Sequence, residues 1–429
     1  MARHDVVVYG ASGFTGAYVV QYLVASEQFE GLSFAVAGRS EKKLRQVLSD
    51  VSQATGKDVT NAAVIIADSA DERSLDEMAR QAKVVINAVG PYRLYGEAVV
   101  KAAIENGASH VDISGEPAWI EKMQAKYGEE AKKQGVYVVS ACGWDSIPAD
   151  LGVNYLKKNF KGDLNHVESF VQQHNGPSGY CGNAGTFQTL VLGLSNQSTD
   201  KMGEIREEIM PEKIVRGSEK PQKRKLIWRI NEKELGGYAL PFPGADRSVI
   251  NRTQYFEATV QNRRPVWVET YFRMESRLWT HLLVLWLFIL NFFVKYPFTR
   301  RILQQYPDQC SFYMFKNSGP SKQQVAEASF TYWFFGYGYK QVLPADQQHE
   351  GLPDRKVVAT CKGPDAGYIA TSGCVLSAAL TLIRDTEHLP KEGGVYTTAA
   401  AFGDSKIYDY LSTFGITYQL ESEYDLLNL

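Results

Sequence analysis

The sequence predicts an α/β fold that opens with a doubly wound parallel sheet, and three observations predict it. Short apolar runs alternate with helical stretches through residues 1–150. These runs are apolar on both faces, as strands covered by helices on each side must be. The first of them ends at once in three glycines spaced three apart.

That first run lies in "VVVYGASGFTG", residues 6–16. Val6, Val7, Val8 and Tyr9 suit a buried strand. Gly10, Gly13 and Gly16 make a tight turn into a helix continued by "AYVVQYLVASE", with an apolar stripe at Val19, Val20, Leu23 and Val24. Such a junction is a phosphate cradle, because free N–H groups and the positive end of the helix dipole face the anion. The spacing is G-x-x-G-x-x-G rather than G-x-G-x-x-G, and three glycines also suit a purely structural turn. Placement in the first strand–helix unit, with further units behind it, points to a Rossmann dinucleotide domain.

The second strand, "LSFAVAGRS", ends in Arg39 and Ser40, with no carboxylate where an NAD domain would bind the ribose 2′-hydroxyl. Arg39 suits a 2′-phosphate and Ser40 adds a hydroxyl donor, so NADP(H) is the expected cofactor. The alternative is a solvated Arg39 before a helix that Ser40 caps. Asp68 ends "AAVIIAD", either beside the adenine or capping the next turn. "AKVVINAVGPY" then places Asn87, Gly90 and Tyr92 at the crevice end of a strand. The helix "GEAVVKAAIENG" closes at Gly107, and "HVDISGE" and "VYVVSACGWDSIPAD" follow.

At 429 residues the chain has length for two or three domains. A net charge of -2 argues against a nucleic-acid footprint. The five cysteines are scattered and odd in number, which suits reduced thiols facing the cytosol. The histidines are dispersed, so no metal site is expected. No secretory signal is expected, since the first apolar run is short and leads into the glycine turn.

The motifs "GASGFTG", "AVAGRS", "NAVGPY", "YGEAVVKAAIENGASHVDISGE" and "GWDSIPADLG" together resemble the saccharopine dehydrogenase-like oxidoreductases of animals. "KGPDAGYIAT", "LPKEGGVYTTAAAFG" and "GITY" extend the resemblance to the end of the chain. It implies a Rossmann domain over 1–150, a mixed α/β domain over 151–364, and a segment 365–429 packing back on the first domain. It also implies that Gly10, Ser12, Gly13, Phe14 and Thr15 belong to the phosphate loop, and Arg39 and Ser40 to the 2′-phosphate end. Asn87, Val89 and Gly90 match the loop beneath the nicotinamide, and Asp145, Ser146 and Pro148 the turn between the domains. The animal branch is linked with lipid droplets and membranes. No set of arginines for a saccharopine-type dicarboxylate is recognisable, which argues against a lysine-pathway activity.

An NADPH reductase needs orientation, a dry pocket and often one proton donor from its protein. Tyr92, Tyr95 and Asp145 are the candidates, each with a structural alternative as an interface phenol or a turn cap. No tyrosine has a lysine four positions later, so the short-chain dehydrogenase pair is missing. "LWTHLLVLWLFILNFFV", residues 278–294, has a rim of basic and aromatic residues and suits an interfacial or membrane-associating segment; a buried core helix is the alternative. The expected partners are NADPH, a hydrophobic or lipid-like substrate and a membrane or droplet surface, with a homodimer as a further option. The competing class is a droplet-associated scaffold that keeps the Rossmann fold without chemistry.

Overall fold

A computed structural model describes residues 3–344 and 347–428. β1 (His4–Tyr9) is central to a seven-stranded sheet. On one side lie β2 (Phe34–Gly38) and β3 (Ala63–Ile66). On the other lie β4 (Ala82–Asn87), β5 (Ser109–Asp112), β6 (Tyr137–Val139) and a strand from far downstream, Gly394–Tyr396. Every pairing is parallel. Val6, Val7 and Val8 are wholly buried because helices cover both faces. Strand order reverses between β1 and β4, and the crevice at their carboxyl ends is where such sheets bind ligands.

Helix Ile147–Asn159 carries the chain to a second, mixed seven-stranded sheet. Its central strand, Asp163–His174, runs parallel to Trp267–Met274 and antiparallel to Ser329–Tyr339. Gly152 lets the helix lie close on this sheet, since a Cβ there would fall 2.0 Å from the Phe334 ring. Of residues 365–429, helix Thr371–Arg384 packs on helix Phe14–Ala25 and Gly394–Tyr396 joins the first sheet. Thr417–Asp425 instead pairs with Arg355–Pro364 in the second. One buried carboxylate ties these parts together. Asp150 accepts hydrogen bonds from Thr253 Oγ1 (2.8 Å), Thr398 Oγ1 (2.8 Å) and the Ala399 amide (2.7 Å).

The apolar run 278–294 forms helix Arg277–Phe293, in which only Thr280 and Leu290 are fully buried. Leu290, Val294 and Trp286 seat it on Phe187 and Val191 of helix Ala184–Asn196. Its opposite side is bare: Trp279 is 62% exposed, Leu285 54% and Phe288 60%. Exposure of this kind rules out the core-helix alternative. It continues into helix Pro297–Gln305 and the turn beyond, at Phe298, Phe312 and Tyr313. Among the described residues one helix, Ala366–Arg384, is long and apolar enough to cross a membrane, and it is mostly buried in the protein.

Asp150→Ala leaves two hydroxyls and an amide without their acceptor in a dry interior. It is expected to lower the unfolding free energy by roughly 2–5 kcal/mol, read by urea denaturation. A change below about 0.5 kcal/mol, the scale of an ordinary surface substitution, would deny this carboxylate its joining role.

Candidate functional site

The three glycines do different things. Gly10 has φ +84°, and a Cβ there would meet Val89 Cγ2 at 2.6 Å. This close approach fastens the β1 turn to the loop after β4. Gly16 is buried, and a Cβ would fall 2.1 Å from the Gly10 carbonyl oxygen, so it is a packing glycine. Gly13 is exposed to the crevice and stands at the amino end of helix Phe14–Ala25. No side chain caps that helix and its first turn holds no acid, leaving its amide donors and dipole open to an anion. Ser12 and Thr15 lie half-buried on the same turn. The Phe14 ring points away from the crevice, edge-on to Tyr368 (4.8 Å) and against Gly319.

Arg39 is exposed at the end of β2, while the Ser40 hydroxyl accepts from the Lys43 amide (3.4 Å) and caps the next helix. Asp68 closes its own turn by accepting from the Ala70 amide (3.0 Å). Asn87 is buried at the tip of β4; its Oδ1 accepts from the Val89 amide (3.0 Å) and its Nδ2 has no partner. An open helix end, an exposed arginine and an orphaned amide donor along one crevice fit a dinucleotide phosphate.

The proton-donor candidates part company. Tyr92 is buried, its hydroxyl donating to the Asn87 carbonyl (2.7 Å) and accepting from the Ile113 amide (3.3 Å). That gives it a structural task holding β4 to β5. Tyr95 is 42% exposed on the outer side of its helix. Asp145 stands at the crevice. A Cβ on Gly115, just after β5, would fall 2.7 Å from Asp145 Oδ2, and one on Gly244 would fall 2.4 Å from Oδ1.

Asp145 also has a partner that the linear sequence hides. Its charge acts on the carboxyl group of Asp246, first-turn residue of helix Asp246–Thr259. Two carboxylates facing each other away from water resist ionising together, because like charges repel. Asp246 is 1% exposed, and burial together with the Asp145 charge pushes its carboxyl well above the usual range. Asp145 is held lower by the Ala245 amide, which donates to it (3.0 Å), although burial still raises it to about 6. Tyr332 donates its hydroxyl to Asp246 Oδ2 (3.1 Å), and Asp246 Oδ1 is buried without a hydrogen-bond partner among the described residues. Trp144 packs beside the pair, 6.2 Å from the Phe242 ring and 5.9 Å from those of Phe330 and Tyr332. Ala141 (φ 59°) and Ser146 (φ 148°) hold positive φ on either side of this turn, a cost that packed surroundings must sustain. Asp246 and Tyr332 carry no local signal, because a lone Asp at a helix start reads as a cap and a Tyr in a strand as core.

Below them, burial pushes Asp112 at the tip of β5 up to about 7 and His110 down to about 3. Of the dispersed histidines, the exposed His388 lies with the exposed Glu387 over a buried Asp385 that already accepts from the Lys406 amide.

A family model described as the saccharopine dehydrogenase NADP binding domain matches residues 6–139. The Lipid droplet localized protein of Caenorhabditis elegans is 78% identical over 99% of this chain and 100% of its own length. The Saccharopine dehydrogenase-like oxidoreductase of Homo sapiens is 42% identical, covering 97% of each chain. A solved apo saccharopine dehydrogenase (L-Glu forming) from Saccharomyces cerevisiae superposes over 98% of this chain and 100% of its own with a TM-score of 0.52 at 15% identity, a likeness of fold. With the NADP binding domain and near full-length relatives in hand, the chain belongs to the saccharopine dehydrogenase-like oxidoreductase family.

Proposed function

We propose that this protein is an NADPH-dependent reductase of a hydrophobic carbonyl or enoyl substrate, working at a lipid droplet or membrane surface. One observation carries the reading: the open glycine loop after β1 and the Asp145–Asp246 carboxyl pair, reached from the loop after β6, lie along the carboxyl-end edge of the same sheet, with β4 and β5 between them. A scaffold without chemistry has no use for the pair. NADPH, when bound, supplies a hydride to the substrate carbon. The uncapped turn at Gly13 holds the pyrophosphate, and Arg39 meets the 2′-phosphate. Asn87, Val89 and Gly90 support the nicotinamide end. Asp145, the more exposed acid, delivers a proton to the substrate atom on which reduction leaves negative charge. Asp246 passes its own proton to Asp145, and solvent restores the pair. The aromatic wall of Trp144, Phe242 and Tyr332 keeps water from the reacting atoms.

The lipid surface enters through helix Arg277–Phe293. Its 17 residues span about 26 Å at about 1.5 Å each, short of the ~30 Å hydrocarbon core of a bilayer. One side is already committed to helix Ala184–Asn196, so the helix lies along the protein surface. Its free side suits one leaflet, with Lys295, Arg300 and Arg301 among the headgroups.

NADPH is expected to bind more tightly than NADH, and Arg39→Asp to shift the preference toward NADH by about 1–3 kcal/mol, the scale of a charged hydrogen bond, in calorimetric titrations. Gly13→Ala should weaken both nucleotides while the ligand-free melting temperature stays close to wild type. Equal affinities in the unmutated protein would remove Arg39 from the site.

The carboxyl pair has a signature that needs no substrate. Acids whose pKa is raised on folding bind more protons folded than unfolded, so their contribution to stability is full below about pH 4 and is lost as pH rises toward neutrality. Asp246→Asn frees Asp145 from a like charge and should flatten that loss in unfolding experiments across this window. Parallel profiles for wild type and variant would show that no proton is shared.

Leu285→Asp with Phe288→Asp should release the protein from liposomes or droplets in flotation assays, since each methylene withdrawn from lipid costs about 0.8 kcal/mol. NADPH binding should survive, as the glycine loop lies elsewhere. Continued flotation would deny this helix the anchoring role.

A further inference from the structure

Beside the carboxyl pair opens a cleft of about 760 Å³ between helix Pro117–Gln134, residues 206–216 and helix Asp246–Thr259. That volume suits a small organic ligand. Four cations line it, Arg206, Lys213, Arg216 and Arg247, against two acids, Glu121 and Glu212. Three of them come from residues 206–216 and the fourth from helix Asp246–Thr259, so folding completes the cluster.

The partners of these cations matter more than their number. Arg206 is spent on Glu121, a fork with Nε at 2.9 Å from Oε2 and Nη2 at 3.0 Å from Oε1. Arg247 meets Glu269 at the surface (3.2 Å). Among the described residues Arg216 meets no such acid: Nη2 donates to the Asn251 amide oxygen (3.3 Å), the guanidinium lies 5.0 Å from the Trp267 ring centre, and Nε is buried without a partner. Arg252, on the helix that forms one wall, is 3% exposed. Its Nε donates to the Gln124 amide oxygen (2.7 Å), and both Nη atoms are unpaired. The half-buried Arg216 guanidinium is held by a neutral amide and a ring, while Glu121 and Asp150 act on Arg252 without a direct ion pair among the described residues. An anion in the cleft completes the pairing of Arg216. Burial accordingly pushes the Arg252 guanidinium down to about 10.

The rest of the cleft is apolar at Met210, Ile214 and Phe242, and it reaches the carboxyl pair at Gly244. We propose that this cleft binds the anionic group, carboxylate or phosphate, of an amphiphilic substrate. Arg216 and Lys213 receive the anion, and the apolar stem lies along Phe242 toward Asp145. The designation as substrate rests on the reductase reading; the binding of an anionic amphiphile does not.

The test uses the full chain without NADPH. Oleate and oleyl phosphate are compared with oleyl alcohol by isothermal calorimetry, for wild type and for Arg216→Gln with Lys213→Gln. The anionic probes are expected to bind at least about tenfold more tightly than the alcohol, and the double variant to erase that preference with NADPH affinity unchanged. Displacement of oleate by inorganic phosphate supports the same cations with a soluble anion as the source. Equal binding of alcohol and anions by the wild type overturns the proposal whether or not the variant folds, as does a preference that survives in a folded variant. A protein that prefers the anions yet fails to bind NADPH would leave the cleft standing and sink the reductase reading instead.

Discussion

Three hydrogen bonds converging on the Asp150 carboxylate set the geometry on which the rest of the site depends. Asp150 lies one turn into helix Ile147–Asn159, just beyond Asp145. Its partner Thr253 lies two turns into the helix that Asp246 begins. Helices are stiff, so pinning them there fixes how their amino ends face each other, and those ends carry the two halves of the carboxyl pair. Thr398 and Ala399 bring the returning carboxyl-terminal segment to the same atom. A single buried acid thus aligns three segments separated by 103 and 248 residues. Burial pushes it up to about 6, and the three donors work against that rise.

Each layer supplies what the others lack. The parallel sheet ends in backbone donors and an open helix dipole, which suit phosphate, and carries Asp112 and the Asp145 turn toward the other end of its crevice. The second sheet contributes Tyr332 and Phe330, and the helix packed on it contributes Asp246, to close over that end. The third element, the exposed apolar helices, adds no polar group to the site. It is nevertheless joined to the glycine loop. Phe14 packs on Tyr368, whose hydroxyl accepts from the Asn183 amide (2.8 Å), and Asn183 caps the helix on which Arg277–Phe293 rests. The exposed apolar helix and the glycine loop therefore sit on one continuous piece of packed structure.

Local pattern and tertiary context divide the protein cleanly. The order of the first six strands, the glycine turn, the capping Ser40 and the apolar run at 278–294 are legible in the sequence. Each rests on residues within a few positions of one another, through strand hydrophobicity, turn chemistry and helix capping. The resemblance added the phosphate loop and the turn at Asp145. What the linear chain withheld is everything made by distant segments: the seventh strand of the first sheet, the division of the last residues between two sheets, and the facing of Asp145 by Asp246, to which Tyr332 donates. Arg216 and Arg252 belong to the same class, since an arginine reveals whether it faces an acid or an amide only after folding. The sequence by itself determined where an anion-binding turn and an apolar face would be, because both are built from neighbours along the chain. Only the tertiary structure decided which acids face each other, which tyrosine is structural and which cations lack a direct acid partner among the described residues, because burial and charge pairing are properties of the space between segments.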